Sequence, residues 1–191
     1  MGKELDSTFY DNSYSDPSRG YDGAPEELKY YYPNWKSALD YIYSNNYSKI
    51  VDLGCGPGHF AQMICEDRLI DYIGYDFSEI AIQKAISCNN NKNNKFEIKN
   101  LKEFIMPTDN CIFTAFEFLE HVSFDVDIIK KLHSGDEIIF SVPNYDSAGH
   151  VRVYPNEDYV NQRYGEFLSL TRLNIVEWEI GKIFLYLGVR V

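Results

Sequence analysis

The sequence predicts a single α/β domain: a mostly parallel sheet with helices on both faces, finished by an antiparallel strand at its carboxyl end. Three observations predict it. Short apolar runs alternate with amphipathic segments through the middle of the chain, a glycine-rich turn joins the first such run to the segment after it, and two long β-rich runs close the sequence. Alternating strands and helices imply parallel strands, because each helix carries the chain back across the sheet before the next strand begins. With 191 residues, 45% of them hydrophobic, the chain suits one core rather than two.

Residues 1–23 are rich in Tyr, Ser, Asp and Gly, a composition that suits turns, an ordered lid or equally a flexible, partly disordered segment, and the domain proper is expected over 24–191. In APEELKYYYPNWKSALDYIYSN, residues Leu28, Tyr31, Tyr32, Trp35, Leu39 and Ile42 recur at mostly helical intervals, with Pro33 expected to separate two helical pieces. Then SKIVDLG reads as a strand, GHFAQMICEDR as a helix, IDYIGYD as a strand, and SEIAIQKAISCN as a helix opened by Ser78. The polar NNNKNNK reads as a loop. FEIK, CIFTAF and EIIFSV are further strands, with SFDVDIIKKLH a helix between the last two. EFLSLTRLNIVEW and KIFLYLGVRV, joined by EIGK, read as an antiparallel hairpin.

The formal net charge is −11 and no basic cluster offsets it, which argues against a nucleic-acid partner, whose affinity comes from Lys and Arg neutralising phosphates. A small ligand is the easier partner. The four cysteines form no CxxC pair, so neither a zinc knuckle nor a disulfide framework is indicated, and reduced thiols in a cytoplasm are expected. No stretch approaches the roughly 18 apolar residues of a membrane span.

The chemistry centres on VDLGCGPGHF, where an apolar strand runs into Gly54, Gly56 and Gly58, which let a ligand approach bare backbone at the strand's carboxyl end. A dinucleotide site needs G-x-G-x-x-G, but His59 stands where the last glycine belongs, and Pro57 removes an amide that a pyrophosphate cradle needs. The loop therefore favours S-adenosylmethionine over NAD. Asp76, about twenty residues on at the end of the next strand, suits a ribose diol.

VDLGCGPGHF, YIGYDFSEIAIQKA, FEFLEHV and IIFSVPN together resemble the class I S-adenosylmethionine-dependent methyltransferases, including ubiquinone-pathway O-methyltransferases and small bacterial relatives, over residues 48–144. The resemblance implies a Rossmann-like fold, with Asp52, Gly54, Cys55 and Gly56 around the methionine portion of the cofactor, and Asp76 and Phe77 at the ribose and adenine. Asn100 and Leu101 stand where many members place an acid for the adenine amino group. Phe116, Glu117, Glu120 and His121 then fall at the edge where the methyl group meets its acceptor.

Because a sulfonium is already an activated leaving group, the protein must chiefly align the acceptor, and a base helps only if that acceptor carries a proton. His121 and His150 are the candidate bases, although each equally suits a satisfied structural histidine. Tyr10 and Tyr14 are expected to fold over the sulfonium from the amino-terminal segment, where aromatic faces attract a cation, Tyr10 as a cofactor contact and Tyr14 as a catalytic candidate beside the two histidines. Asn144, Tyr145 and Arg152 are expected to contact the acceptor from the long connection after the fifth strand, Arg152 suiting an anionic group.

Glu117, Glu120, His121 and His150 are also similar to the metal-binding set of the small-RNA terminal 2′-O-methyltransferases, but ExxEH occurs in metal-free relatives, so no metal is expected. The expected activity is methylation of a small molecule, on an oxygen of a sugar or cell-envelope precursor. The alternatives are a metal-assisted RNA ribose methyltransferase and a cofactor-binding scaffold without catalysis.

Overall fold

The computed structural model describes residues 2–107 and 110–191. In chain order its main elements are α1 (Ser7–Ser15), α2 (Tyr32–Ser44), β1 (Lys49–Leu53), α3 (His59–Gln62), β2 (Asp71–Asp76), α4 (Glu79–Cys88) and β3 (Asn94–Ile98). There follow β4 (Ile112–Phe116), α5 (Asp125–Lys131), β5 (Glu137–Pro143), α6 (Glu157–Tyr164), β6 (Leu168–Trp178) and β7 (Gly181–Arg190).

Seven strands form one sheet in the order β3-β2-β1-β4-β5-β7-β6. The five strands from β3 to β5 pair in parallel, while β7 runs antiparallel to both β5 and β6. This is the Rossmann-like arrangement the sequence predicts. The chain order reverses at β1, which lies between β2 and β4, so the connections leaving β1 and β4 diverge and open a crevice at their carboxyl ends.

Alternation along β1 supplies both faces of the sheet. Val51 and Leu53 join one core with Phe113, Ile138 and Phe140, covered by Ile128 and Ile129 of α5 and Val160 and Tyr164 of α6. Ile50 joins the opposite core with Ile112, Ile139 and Leu185. There α2 lays down Trp35, Ala38, Leu39 and Ile42, whose three- and four-residue spacing makes one stripe. Ile42 is fully buried, and burying such a side chain is worth about 2 kcal/mol.

Several elements differ from the sequence reading. The amino-terminal segment contains a regular helix, α1, opened by Asp6, whose side chain accepts from the Phe9 amide at 3.2 Å. Pro33 lies in the first turn of α2 instead of dividing two helical pieces, because a proline at a helix start loses no intrahelical bond; the preceding Pro25–Glu27 is a separate 3₁₀ turn. GHFAQMICEDR is α-helical only over the four residues of α3, with a separate 3₁₀ turn at Glu66–Arg68. Beyond it the helix tightens and stops: the Ala61 carbonyl accepts from the Ile64 amide and the Asn94 side chain, and the Cys65 amide donates to the Tyr43 hydroxyl. β3 begins inside the polar run read as a loop, since Asn94 and Lys95 pair with Tyr72 and Ile73. The carboxyl-terminal hairpin forms as expected, with an irregularity in β6 between Arg172 and Asn174.

Candidate active site

The three glycines after β1 all have φ in the left-handed region, +78° at Gly54, +52° at Gly56 and +79° at Gly58, yet they serve different ends. A Cβ on Gly54 would sit 2.4 Å from the Phe118 ring, and one on Gly56 would sit 3.3 Å from the Tyr14 hydroxyl. A Cβ on Gly58 would strike Ala85 and Asn89, so Gly58 lets α4 pack closely and does not line the crevice, which corrects its assignment to the cofactor. The turn is tied to β2: the Gly54 and Cys55 amides both donate to the Tyr75 carbonyl, at 2.8 and 3.0 Å.

Asp76, at the end of β2, is buried and accepts from the Gly56 amide at 3.0 Å and the Ser78 amide at 2.9 Å. Asp52 is buried beside it in β1 and accepts from the Tyr72 hydroxyl at 2.5 Å and the Thr114 hydroxyl at 2.7 Å. Burial pushes both carboxyls up to about 6, against those hydrogen bonds.

A cavity of about 460 Å³ runs along the carboxyl edge of the sheet. One end is walled by Asp76, Phe77, Asn100 and Leu101, the middle by Asp52, Gly54, Cys55 and Gly56, and the other end by Phe116, Glu117, His121, Tyr145 and His150. Tyr10 and Tyr14 of α1 also line it. The helix is held there by Asp11, whose carboxylate accepts from the Ser78 hydroxyl at 2.5 Å and the Ile80 amide at 3.3 Å, at the start of α4.

Glu117 follows β4 with φ +48°, a conformation that an L-residue seldom adopts and that turns the chain sharply at the sheet edge. Its carboxylate accepts from the Ser141 hydroxyl at 2.8 Å, and burial raises its pKa. His121 Nδ1 lies 2.9 Å from the Tyr10 hydroxyl, and its ring meets that of His150 edge to face, centroids 4.7 Å apart. Burial, then the neighbouring His150, hold His121 down to about 4, while burial also lowers His150.

Two further residues read from the sequence as acceptor contacts lie outside the cavity lining. The Arg152 guanidinium donates to the carbonyls of Leu119 and Val122 and pairs with the buried Asp125 at 3.0 Å, clamping the loop after β4 from behind. Asn144 fastens β5 to β7: its side chain accepts from the Lys182 amide at 2.6 Å, and its own amide donates to the Lys182 carbonyl at 2.9 Å. Asn100 lines the cavity while its side chain accepts from the Lys102 amide.

Other lining residues escaped the sequence reading. Trp35 and Tyr31 were legible only as the apolar stripe of α2, yet both reach the cavity, as does Phe118. His59, the residue that breaks the dinucleotide pattern, also lines it, with its ring stacked on Trp35 at 6.0 Å and 8° between planes.

A family model described as a methyltransferase domain matches residues 27–175, and the chain belongs to that family. Among solved structures it is similar to magnesium protoporphyrin IX methyltransferase of Synechocystis PCC 6803, solved with S-adenosylmethionine bound. The TM-score is 0.71 at 15% identity over 100% of both chains. It is also similar to the N-methyltransferase NodS of Bradyrhizobium japonicum WM9, solved with S-adenosylhomocysteine, with TM-score 0.70 at 15% identity over 96% of this chain and 97% of that one. At such identities the likeness is one of fold. No curated protein sequence matches the chain closely enough to count as a relative. Among the described residues, no helix is long and apolar enough to cross a membrane.

Proposed function

We propose that the protein transfers the methyl group of S-adenosylmethionine to a hydroxyl of a small neutral acceptor, of the sugar or cell-envelope precursor type. The observation that carries this reading is the single cavity that joins the Asp76 and glycine-turn end to the Glu117, His121 and His150 end. Family membership supports methyl transfer, and the ring-rich, carboxylate-bearing acceptor end suits a ligand that offers hydroxyl donors and apolar faces.

The residues present fit the cofactor. Each Asp76 oxygen accepts one amide and keeps capacity for a hydroxyl of a ribose diol. Gly54 and Gly56 leave bare backbone beside it, and the Tyr10 and Tyr14 rings offer faces to a cation. Cys55, Phe77, Asn100, Leu101 and Phe116 complete that wall. When bound, S-adenosylmethionine supplies an activated methyl group that needs no further activation by the protein. The chain's own contribution is alignment at about 3 to 3.5 Å and exclusion of water, with His121 and His150 polarising the acceptor hydroxyl and Tyr145 beside them. In this reading residues 1–23 act as a lid, through the hold of Asp11 on α4. The enzyme works in the cytoplasm, in keeping with its four free thiols.

Incubation with methyl-tritiated S-adenosylmethionine and pools of sugars, nucleotide sugars, amines and RNA tests this. Label on a hydroxyl oxygen of a small neutral compound is the expected result. Label confined to amines or RNA overturns the acceptor class, and calorimetric silence toward S-adenosylhomocysteine overturns the cofactor.

A further inference from the structure

The amino-terminal segment reaches both ends of the cavity. Glu4 accepts from the Ser123 amide at 3.0 Å and the Tyr10 hydroxyl meets His121 at 2.9 Å, so the segment builds part of the acceptor end. Asp11 holds the start of α4, and Asp22 pairs with Lys84 of that helix. The carbonyls of Tyr21 and Gly23 accept from the His59 ring, which lays residues 21–23 beside the glycine turn. These ties are few and polar, the kind that a segment makes and breaks while the sheet stays folded.

Charge along the cavity is one-sided. Glu4, Asp52, Asp76 and Glu117 line it, against Arg19, Lys99 and Lys102. The two lysines flank Asn100 and Leu101, at the end next to Asp76 and Phe77. Arg19 stands apart from them. Its charge bears on Tyr21, whose ring lies 4.9 Å from that of Tyr14, and the Tyr14 hydroxyl faces Gly56 in the middle of the cavity.

The Arg19 guanidinium is otherwise weakly engaged. Its Nε lies 3.9 Å from Asp16, the outer limit of an ion pair, while Asp16 Oδ1 accepts from both the amide and the hydroxyl of Ser18. The side chain is 47% exposed, and beyond that contact it makes no hydrogen bond among the described residues.

S-adenosylmethionine carries the group that would engage it. With the ribose at Asp76 and the methyl group directed to the acceptor end, the amino-acid arm falls in the middle of the cavity, and its carboxylate enters a region that already holds Asp52 and Asp76. An anion there needs a counter-charge. A guanidinium offers two parallel donors that match the two carboxylate oxygens.

We propose that Arg19 is a latch: it pairs with the carboxylate of the cofactor's amino-acid arm, and the pair holds residues 2–23 closed over the cavity, with Glu4 and Tyr10 set at the acceptor end. Cofactor binding then stiffens the acceptor end, so acceptor binding is favoured after cofactor binding. Lys99 and Lys102 are not members, because they stand at the far end beside Asn100 and Leu101.

The latch rests on the cofactor and lid readings, and truncating the ligand tests it separately from them. Full-length wild type and Arg19→Gln, both checked by thermal melts, are titrated by calorimetry with S-adenosylhomocysteine and with methylthioadenosine, which keeps the adenosine and thioether and lacks the amino-acid arm. Arg19→Gln is expected to weaken S-adenosylhomocysteine about ten- to thirtyfold and to leave methylthioadenosine within about threefold, with Arg19→Lys recovering part of the loss. Tryptic cleavage after Arg19 in the wild type, followed by mass spectrometry, is expected to slow about tenfold or more at saturating S-adenosylhomocysteine and less than about twofold at saturating methylthioadenosine. Equal losses for the two ligands in Arg19→Gln overturn the pair, and equal protection by them overturns the closure. Uptake of both ligands with no dependence on Arg19 removes the latch alone. Silence toward both removes the cofactor reading and the latch with it.

Discussion

The two ends of the cavity handle buried acids in opposite ways. At the β1 and β2 end, Asp52 and Asp76 are each met by two hydrogen-bond donors from the chain itself. At the β4 end, Glu120 is equally deep and met by none, while two imidazoles stand beside it. Self-satisfied acids hold a rigid cradle in shape whether or not a ligand is present. An unsatisfied one marks the place where the fold is incomplete alone.

The comparison breaks hardest at Gly54. With φ +78° and the Phe118 ring 2.4 Å from a built Cβ, Gly54→Ala must displace the turn that Asp76 supports through the Gly56 amide, and a loss of S-adenosylhomocysteine affinity above about a hundredfold is expected by calorimetry. Pairing it with Phe118→Ala relieves the collision but not the backbone strain, so only partial recovery is expected.

Next is Asp76→Asn, which keeps the shape and removes the charged acceptor; affinity is expected to fall about ten- to hundredfold. Because the ionised form receives the diol, wild-type affinity should decline as pH falls through about 6. A variant whose affinity equals the wild type's at pH 7.5 removes Asp76 from the ribose.

A third expectation concerns the free protein. Asp52 and Asp76 have folded-state pKa values near 6, above the unfolded carboxylate range, so between about pH 4 and 6 the folded state binds more protons than the unfolded one. Their contribution is therefore greatest below that window and is lost as pH rises through about 6, by at most about 3 kcal/mol each. Urea midpoints should rise from pH 7 to pH 5, and Asp52→Asn should flatten the rise. A midpoint that falls over this interval in the wild type and not in Asp52→Asn contradicts the assignment.

The smallest effect sharpens the acceptor end. Tyr10→Phe keeps the ring and deletes the hydroxyl bonded to His121. A change in stability of about 1 kcal/mol or less is expected, with kcat for methyl transfer reduced about three- to tenfold. An unchanged kcat detaches that hydroxyl from the reaction.

What the sequence could disclose follows from how local the signal is. The alternation of strands and helices along the chain, the glycine turn and Asp76 rest on periodicity and short spacing, and the structure has those elements in that chain order. Helix α1 was invisible because Tyr, Ser, Asp and Asn are weak helix formers; it is anchored through Asp11 to residues 67 and 69 positions away. Arg152 looked like an anion ligand because a buried partner such as Asp125 cannot be read from a neighbouring stretch. Glu120 and His121 stood in plain view, but their alignment with His150 depends on the Val151 bond across two loops.

The irregularity in β6 has a consequence of another kind. As the outer strand beyond β7, β6 exposes a long row of unpaired backbone that invites a neighbour's strand. The break between Arg172 and Asn174, with Arg172 and Glu177 exposed, interrupts the flat, uncharged run that such accretion needs. The opposite edge, β3, is only five residues long and exposes Lys95 and Glu97. Both margins of the sheet thus resist edge-to-edge aggregation.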